Sequence, residues 1–202
     1  FDTSGVYHSF DGGKTWRTAE TSPDCILSLA FYPGSDKVCF ALVGGLPNIS
    51  GIYKSTDAGV NWERIYVIEH KYVIRMCDIV FGKADKNGVH PMYFAISSNP
   101  EGLDVLGDSA KAGVFKTTDM GETFTNIGFS NYYINNIYAD RDSDLVIVAV
   151  GVTKDAEGNA VLERGGLYVS RSGGASWEKS DKGLEDFGVY SVAVNPADKN
   201  IW

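Results

Sequence analysis

Apolar and polar positions alternate along this chain in short runs, and the runs come in pairs. Residues 26–44 read ILSLAFYPGSDKVCFALVG, two apolar stretches around a Pro-Gly-Ser-Asp turn. Residues 75–98 repeat the pattern with a longer turn. Residues 134–151 repeat it around Asp140–Asp144, and 189–202 begin it again around Asn195-Pro196-Ala197-Asp198. Period-two alternation, β-branched residues and turn formers at the joints predict strand–turn–strand. Each pair is followed by a third short strand, a tight turn and a fourth strand that opens on an aromatic. The best helical candidate, Lys182–Phe187, is too short to matter.

The third strand, turn and aromatic recur as SGVYHSFDGGKTW (4–16), SGIYKSTDAGVNW (50–62), AGVFKTTDMGETF (112–124) and GGLYVSRSGGASW (165–177). The turn glycines Gly13, Gly59, Gly121 and Gly174 are spaced by 46, 62 and 53 residues. A four-stranded unit of roughly 40–50 residues, repeated, is a propeller blade. The expected fold is therefore all-β, a β-propeller of four-stranded antiparallel blades. We name the strands A, B, C and D outward. The expected division is a half blade at 1–25, blades at about 26–70, 75–130 and 134–182, and a half blade at 189–202. Two arrangements suit the halves. The chain is part of a larger propeller with blades missing, or the C-terminal A–B strands pair with the N-terminal C–D strands in a four-bladed ring. The first is the expectation, although closure would remove sheet edges.

The turn between C and D has its own chemistry. In the first copy Ser9, Asp11, Gly13, Thr15 and Trp16 follow Ser-x-Asp-x-Gly-x-Thr-Trp. A carboxylate at a turn start accepts backbone N–H bonds across the turn, and glycine supplies a positive φ. Ser55, Asp57, Gly59 and Trp62 repeat the pattern, as do Thr117, Asp119, Gly121 and Phe124, and Ser170, Gly174 and Trp177 with Ser172 at the Asp position. This resembles the Asp-box, or bacterial neuraminidase repeat. It is similar to sialidases, xyloglucanase-type glycoside hydrolases, sortilin-like receptors and photosystem II assembly factors. The resemblance implies that the box is a structural turn. Drift at Ser172, Phe124 and Asn61 agrees with that. Trp16, Trp62, Phe124 and Trp177 are expected to be buried between neighbouring blades.

The remaining composition narrows the choice of partner. Net charge is −8 and the pI about 4.8, which argues against nucleic acid or an anionic membrane. No apolar run approaches the roughly 18 residues of a membrane span. Cys25, Cys39 and Cys77 lack metal-ligand spacing, so no metal or cofactor is expected; a Cys25–Cys39 bridge is open. Asn48-Ile49-Ser50 is a glycosylation sequon, used only in a eukaryotic secretory route.

Alternation places function on one face. The A–B and C–D turns share one face of a propeller. The B–C loops and the D-to-A links share the other. Long insertions fall in the B–C loops, at Gly44–Ser50, Asn99–Ala112 and Val152–Gly165. Long loops on a rigid scaffold are where sites are built. The ligand-binding candidates there are Asp104, Asp108, Asp155 and Glu157, with Tyr132 and Tyr133 from a link. Asp2 joins them because Phe1-Asp2-Thr3-Ser4-Gly5 stands where xyloglucanase-type enzymes carry a Thr-Asp-Val-Gly-Gly segment, although the Val-Gly-Gly is absent. At least two of these carboxylates should converge beside an aromatic. Sialidase chemistry is disfavoured, since an Arg-Ile-Pro segment is missing. The resemblance implies an exported, carbohydrate-directed propeller of glycoside-hydrolase type. The alternative is a non-enzymatic propeller that binds a protein, as receptor, scaffold or assembly factor.

Overall fold

The computed structural model describes residues 5–45, 48–68, 76–97, 112–130, 132–154, 159–161, 164–180, 182–184 and 188–202. The strands are β1 (Tyr7–His8), β2 (Arg17–Thr18), β3 (Ile26–Phe31), β4 (Cys39–Val43), β5 (Gly51–Ser55), β6 (Glu63–Val67), β7 (Met76–Phe81) and β8 (Met92–Ile96). They continue as β9 (Gly113–Thr117), β10 (Thr125–Asn126), β11 (Ile134–Ala139), β12 (Val146–Val150), β13 (Thr153–Lys154), β14 (Ala160–Val161), β15 (Gly166–Ser170) and β16 (Glu178–Lys179). Three sheets are complete antiparallel four-strand meanders: β3-β4-β5-β6, β7-β8-β9-β10 and β11-β12-β15-β16. The chain is an all-β propeller. β1 and β2 pair as an isolated C–D half blade. Residues 189–202 make a further A–B turn beside the third sheet, with Asn195 N–H donating to the Ile201 carbonyl at 2.8 Å, but without assigned strands.

The B strands explain the stability of the sheets. β4, β8 and β12 are buried at every position. Each is covered on both faces by a neighbouring blade, so it reads as a continuous apolar run. Phe40 and Leu42 of the first sheet pack with Ile79 and Phe81 of the second. Tyr93 and Ala95 of the second pack with Ile137 of the third. Leu145, Ile147 and Val169 then pack with Val192 and Val194.

Neighbouring blades are also joined by polar contacts at repeated positions. Ser28 Oγ accepts the Ile79 N–H at 3.2 Å, and Asn136 Oδ1 accepts the Val192 N–H at 3.3 Å. One position earlier, Cys77 Sγ donates to the Ile134 carbonyl at 3.2 Å, and Asn135 Nδ2 donates to the Val189 carbonyl at 2.8 Å. A register shift in each A–B pair, at Ile26/Ser28, Cys77/Val80 and Ile134/Asn136, turns these side chains towards the next blade. Residues 189–202 thus dock in the same register as the preceding A strands. The three cysteines are free, so the Cys25–Cys39 bridge does not form.

Candidate functional site

The boxes close as a set of side-chain bonds. Ser9 Oγ accepts the Gly13 N–H at 2.8 Å and donates to Asp11 Oδ1 at 2.8 Å. Asp11 Oδ1 accepts the backbone N–H groups of Lys14 and Thr15, at 3.0 and 2.9 Å. Its Oδ2 accepts the Thr15 hydroxyl at 2.6 Å. In the second box Asn61 supplies both bonds to Asp57, at 2.9 Å each. In the third, Thr123 does the same for Asp119. In the fourth, Ser172 Oγ takes the carboxylate's place and accepts the Ser176 N–H at 3.0 Å. These bonds favour the ionised carboxylate. Asp11 is drawn down to about 2, chiefly by Thr15 and then Ser9. Asp57 is drawn down to about 2 by the Asn61 N–H and amide. Burial pushes Asp119 up, but the Thr117 and Thr123 hydroxyls outweigh it and leave it at about 2. Every one of these carboxylate oxygens faces its own turn.

Two features of the boxes were not foreseen. The residue before each turn glycine also has a positive φ: 73° at Gly12, 62° at Ala58, 58° at Met120 and 62° at Gly173. At Met120 and Gly173 the carbonyl is thereby turned to the preceding blade. Lys54 Nζ donates to the Met120 carbonyl at 3.0 Å, and Lys116 Nζ donates to the Gly173 carbonyl at 2.8 Å. The two lysines hold the same strand-C position, where the other copies have His8 and Val169. Burial lowers the pKa of Lys116. The lysines therefore latch blade to blade, and their spacing from the box was the available signal. The second feature is Trp16. Trp62 packs on Val6 of the half blade, Phe124 lies 4.8 Å from Tyr66, and Trp177 lies 4.9 Å from Phe129, so each ring rests on the unit before it. Trp16 is 63% exposed, against the expectation of burial. Among the described residues no sheet precedes its half blade.

On the face opposite the boxes, the described part is the seat of the third B–C insertion. β13 and β14 pair there as a small hairpin. At its far end the Arg164 carbonyl accepts the Tyr168 hydroxyl at 3.1 Å, and the Arg164 guanidinium lies 5.8 Å from the Tyr132 ring centre. Tyr132 in turn meets Phe129 and Tyr168 edge to face, at 5.3 and 5.6 Å. At the near end Gly151 N–H donates to the Tyr133 carbonyl at 2.7 Å. A Cβ on Gly151 would lie 2.6 Å from the Tyr133 ring and 2.7 Å from the Asn135 amide. Tyr132 and Tyr133 therefore both border the insertion. Tyr132 packs with Phe129 and Tyr168 in the groove towards the second sheet, whereas the Tyr133 ring lies against Gly151. Asp2, Asp104, Asp108, Asp155 and Glu157 lie outside the described residues. Among the described residues, no cluster of His, Cys, Asp and Glu could hold a metal, and no helix is long and apolar enough to cross a membrane.

A hollow of about 750 Å³ lies on the box face, lined by the A–B turns of the first and third sheets, the end of β7 and Lys199. Its buried carboxylate is already engaged: Asp140 accepts Lys199 Nζ at 2.6 Å and the Ser143 hydroxyl at 2.6 Å. That pair pins the last turn to the third sheet.

The BNR/Asp-box repeat family matches residues 7–18. A probable oligoxyloglucan-reducing end-specific xyloglucanase of Neosartorya fischeri is 39% identical over 77 residues, 35% of this chain and 9% of the relative. The GH74 enzyme of Niastella koreensis matches 88% of this chain with 26% of its own, at 20% identity and TM-score 0.55. An ancestral GH74 enzyme matches 91% with 24% of its own, at 18% identity and TM-score 0.60. The GH74 xyloglucanase from Xanthomonas campestris matches 97% with 31% of its own, at 15% identity and TM-score 0.58. At such identities the solved structures show a shared propeller fold. The chain spans under a tenth of the curated relative and a quarter to a third of the solved chains. The resemblance to Asp-box propellers of xyloglucanase type therefore holds.

Proposed function

We propose that this chain belongs to an exported, carbohydrate-directed propeller of glycoside-hydrolase type that binds a xyloglucan-like oligosaccharide on the face opposite the boxes, with further blades completing the ring. The observation that carries this reading is the 39% identity to a xyloglucanase over 77 residues. The geometry supports it. The box carboxylates are consumed by their own turns, so they are not free to work on a substrate. On the opposite face the end of the third insertion is held at Arg164 against Tyr132. Sugar C–H faces stack on aromatic rings, and sugar hydroxyls bind carboxylates. The carboxylates proposed for that role are Asp104, Asp108, Asp155 and Glu157, together with Asp2. If they hydrolyse a glycosidic bond, a working pair stands about 5–10 Å apart.

The protein-binding alternative calls for a flat apolar patch on the insertion face. Among the described residues, Tyr7, Phe10, Trp16, Leu29 and Phe31 are exposed along a single flank.

The test is a glycan array followed by calorimetry with xyloglucan oligosaccharides. Binding that weakens in Asp104→Asn or Asp155→Asn, at unchanged melting temperature, is expected. Silence across the array, with retention of a protein ligand, would transfer the protein to the scaffold class.

A further inference from the structure

We propose that the flank formed by β3 and the β1–β2 half blade is a docking surface for an A–B β-hairpin of a further propeller blade, whose outer strand pairs with the free edge of β1. This rests on the larger-ring part of the reading above, not on glycan binding. Leu29 and Phe31 are 43% and 48% exposed, whereas Ile79 and Phe81, at the same A-strand positions of the next sheet, are each 5% exposed. The difference lies in what stands before them. Ile79 and Phe81 meet the B-strand residues Phe40 and Leu42. Val192 and Val194 meet Leu145 and Ile147 in the same way. The same covering is therefore seen repeatedly in one molecule, always by an apolar B strand. A groove of about 430 Å³ runs along this flank, with Trp16, Phe10 and Tyr7 on one wall and Leu29 and Phe31 on the other. Those five side chains account for about half of the large apolar groups that are exposed among the described residues. A patch of that kind marks an interaction site.

The edge chemistry specifies the partner further. Among the described residues β1 pairs with β2 along one edge and with no strand on the other, whereas in each complete sheet the corresponding C strand pairs on both. An incoming strand would add by main-chain bonds, with alternate side chains filling the groove. The partner's A strand would carry an acceptor for the Leu29 N–H, as Ser28 serves Ile79 and Asn136 serves Val192. Residues 134–151 have all of these features, so they are the probe.

The test is a fusion of a second copy of residues 134–151 ahead of Phe1 through a short Gly-Ser linker, read by hydrogen exchange. The amides of 7–10 and 27–31 are expected to slow by at least about tenfold, and Trp16 emission to shift to the blue. Leu29→Asp with Phe31→Asp should abolish both effects, while exchange in β7–β16 stays unchanged. Unchanged exchange at 27–31 in the folded fusion overturns the proposal. Protection that rises with concentration in the unfused protein would assign the flank to a second copy, which also overturns it. Glycan binding on the opposite face is a separate readout, so failure of one reading is not failure of the other.

Discussion

The first and second boxes are the same turn in two settings. Asp11 accepts four bonds and Asp57 three from within their own turns, and both are drawn down to about 2. Yet Trp62 is 8% exposed and Trp16 is 63% exposed. Trp62 also donates from Nε1 to the Gly59 carbonyl at 2.9 Å, and its N–H meets the Thr21 hydroxyl at 2.8 Å. The turn is thus a local object, complete within seven or eight residues. The role of its aromatic is tertiary and depends on the blade in front. A box sequence specifies the first and only makes room for the second.

The largest effect should separate the two tryptophans. Trp62→Ala should cost about 3–5 kcal/mol, as for other buried aromatics. Trp16→Ala should change stability by no more than ~0.5 kcal/mol, as at other exposed sites. Urea titrations of both variants check this, and equal losses would break the comparison.

Next come the turn glycines. Gly13→Ala meets Trp16 at 3.6 Å and suffers mainly the positive φ, about 1–2 kcal/mol. Gly121→Ala has the same backbone strain, and its Cβ would also lie 2.5 Å from Ile65 of the preceding blade. It should be clearly the more damaging of the two by thermal melt. A smaller effect is expected at the latch. Lys116→Met keeps the stem's packing but loses the bond to Gly173, for about 1–2 kcal/mol. His8→Met, at the matching position of the half blade, should be close to neutral.

The smallest effect is electrostatic. A carboxylate whose folded pKa is depressed contributes stability that is present above its unfolded pKa near 3.8 and lost as pH falls towards about 2. The fourth box, with Ser172, has no such contribution. Ser172→Asp should raise the melting temperature by roughly 1–3 °C above pH 4 and by nothing near pH 2. Melts across that range decide it, and a gain independent of pH would remove the turn carboxylate from the account.

Much of the fold was legible because its signals are local. Residues 134–151 alternate in the way an A–B pair must, and Gly121 or Gly174 stands where a turn demands φ > 0. The latch was less visible. Lys54 and Lys116 recur at one position, but only the positive φ of Met120 and Gly173 reveals the carbonyls they serve. The candidate site was legible as a face rather than as a set of contacts. Alternation placed Tyr132 and Tyr133 beside the third insertion, but the packing of Tyr132 on Phe129 and Tyr168 follows from how blades stack.

By itself, then, the sequence determined the repeated unit: four strands, a carboxylate or hydroxyl turn, and an apolar B strand. Those properties depend on residues close in the chain, where period and turn chemistry act. Tertiary structure alone decided which side chains the units share. It buried Trp62 and left Trp16 outside, turned Ser28 and Asn136 to the next blade, and fastened Lys199 to Asp140. Such contacts join residues more than 50 positions apart, and no local preference encodes them. They arise because each blade has two apolar faces, and burying those faces against neighbours sets which residues meet.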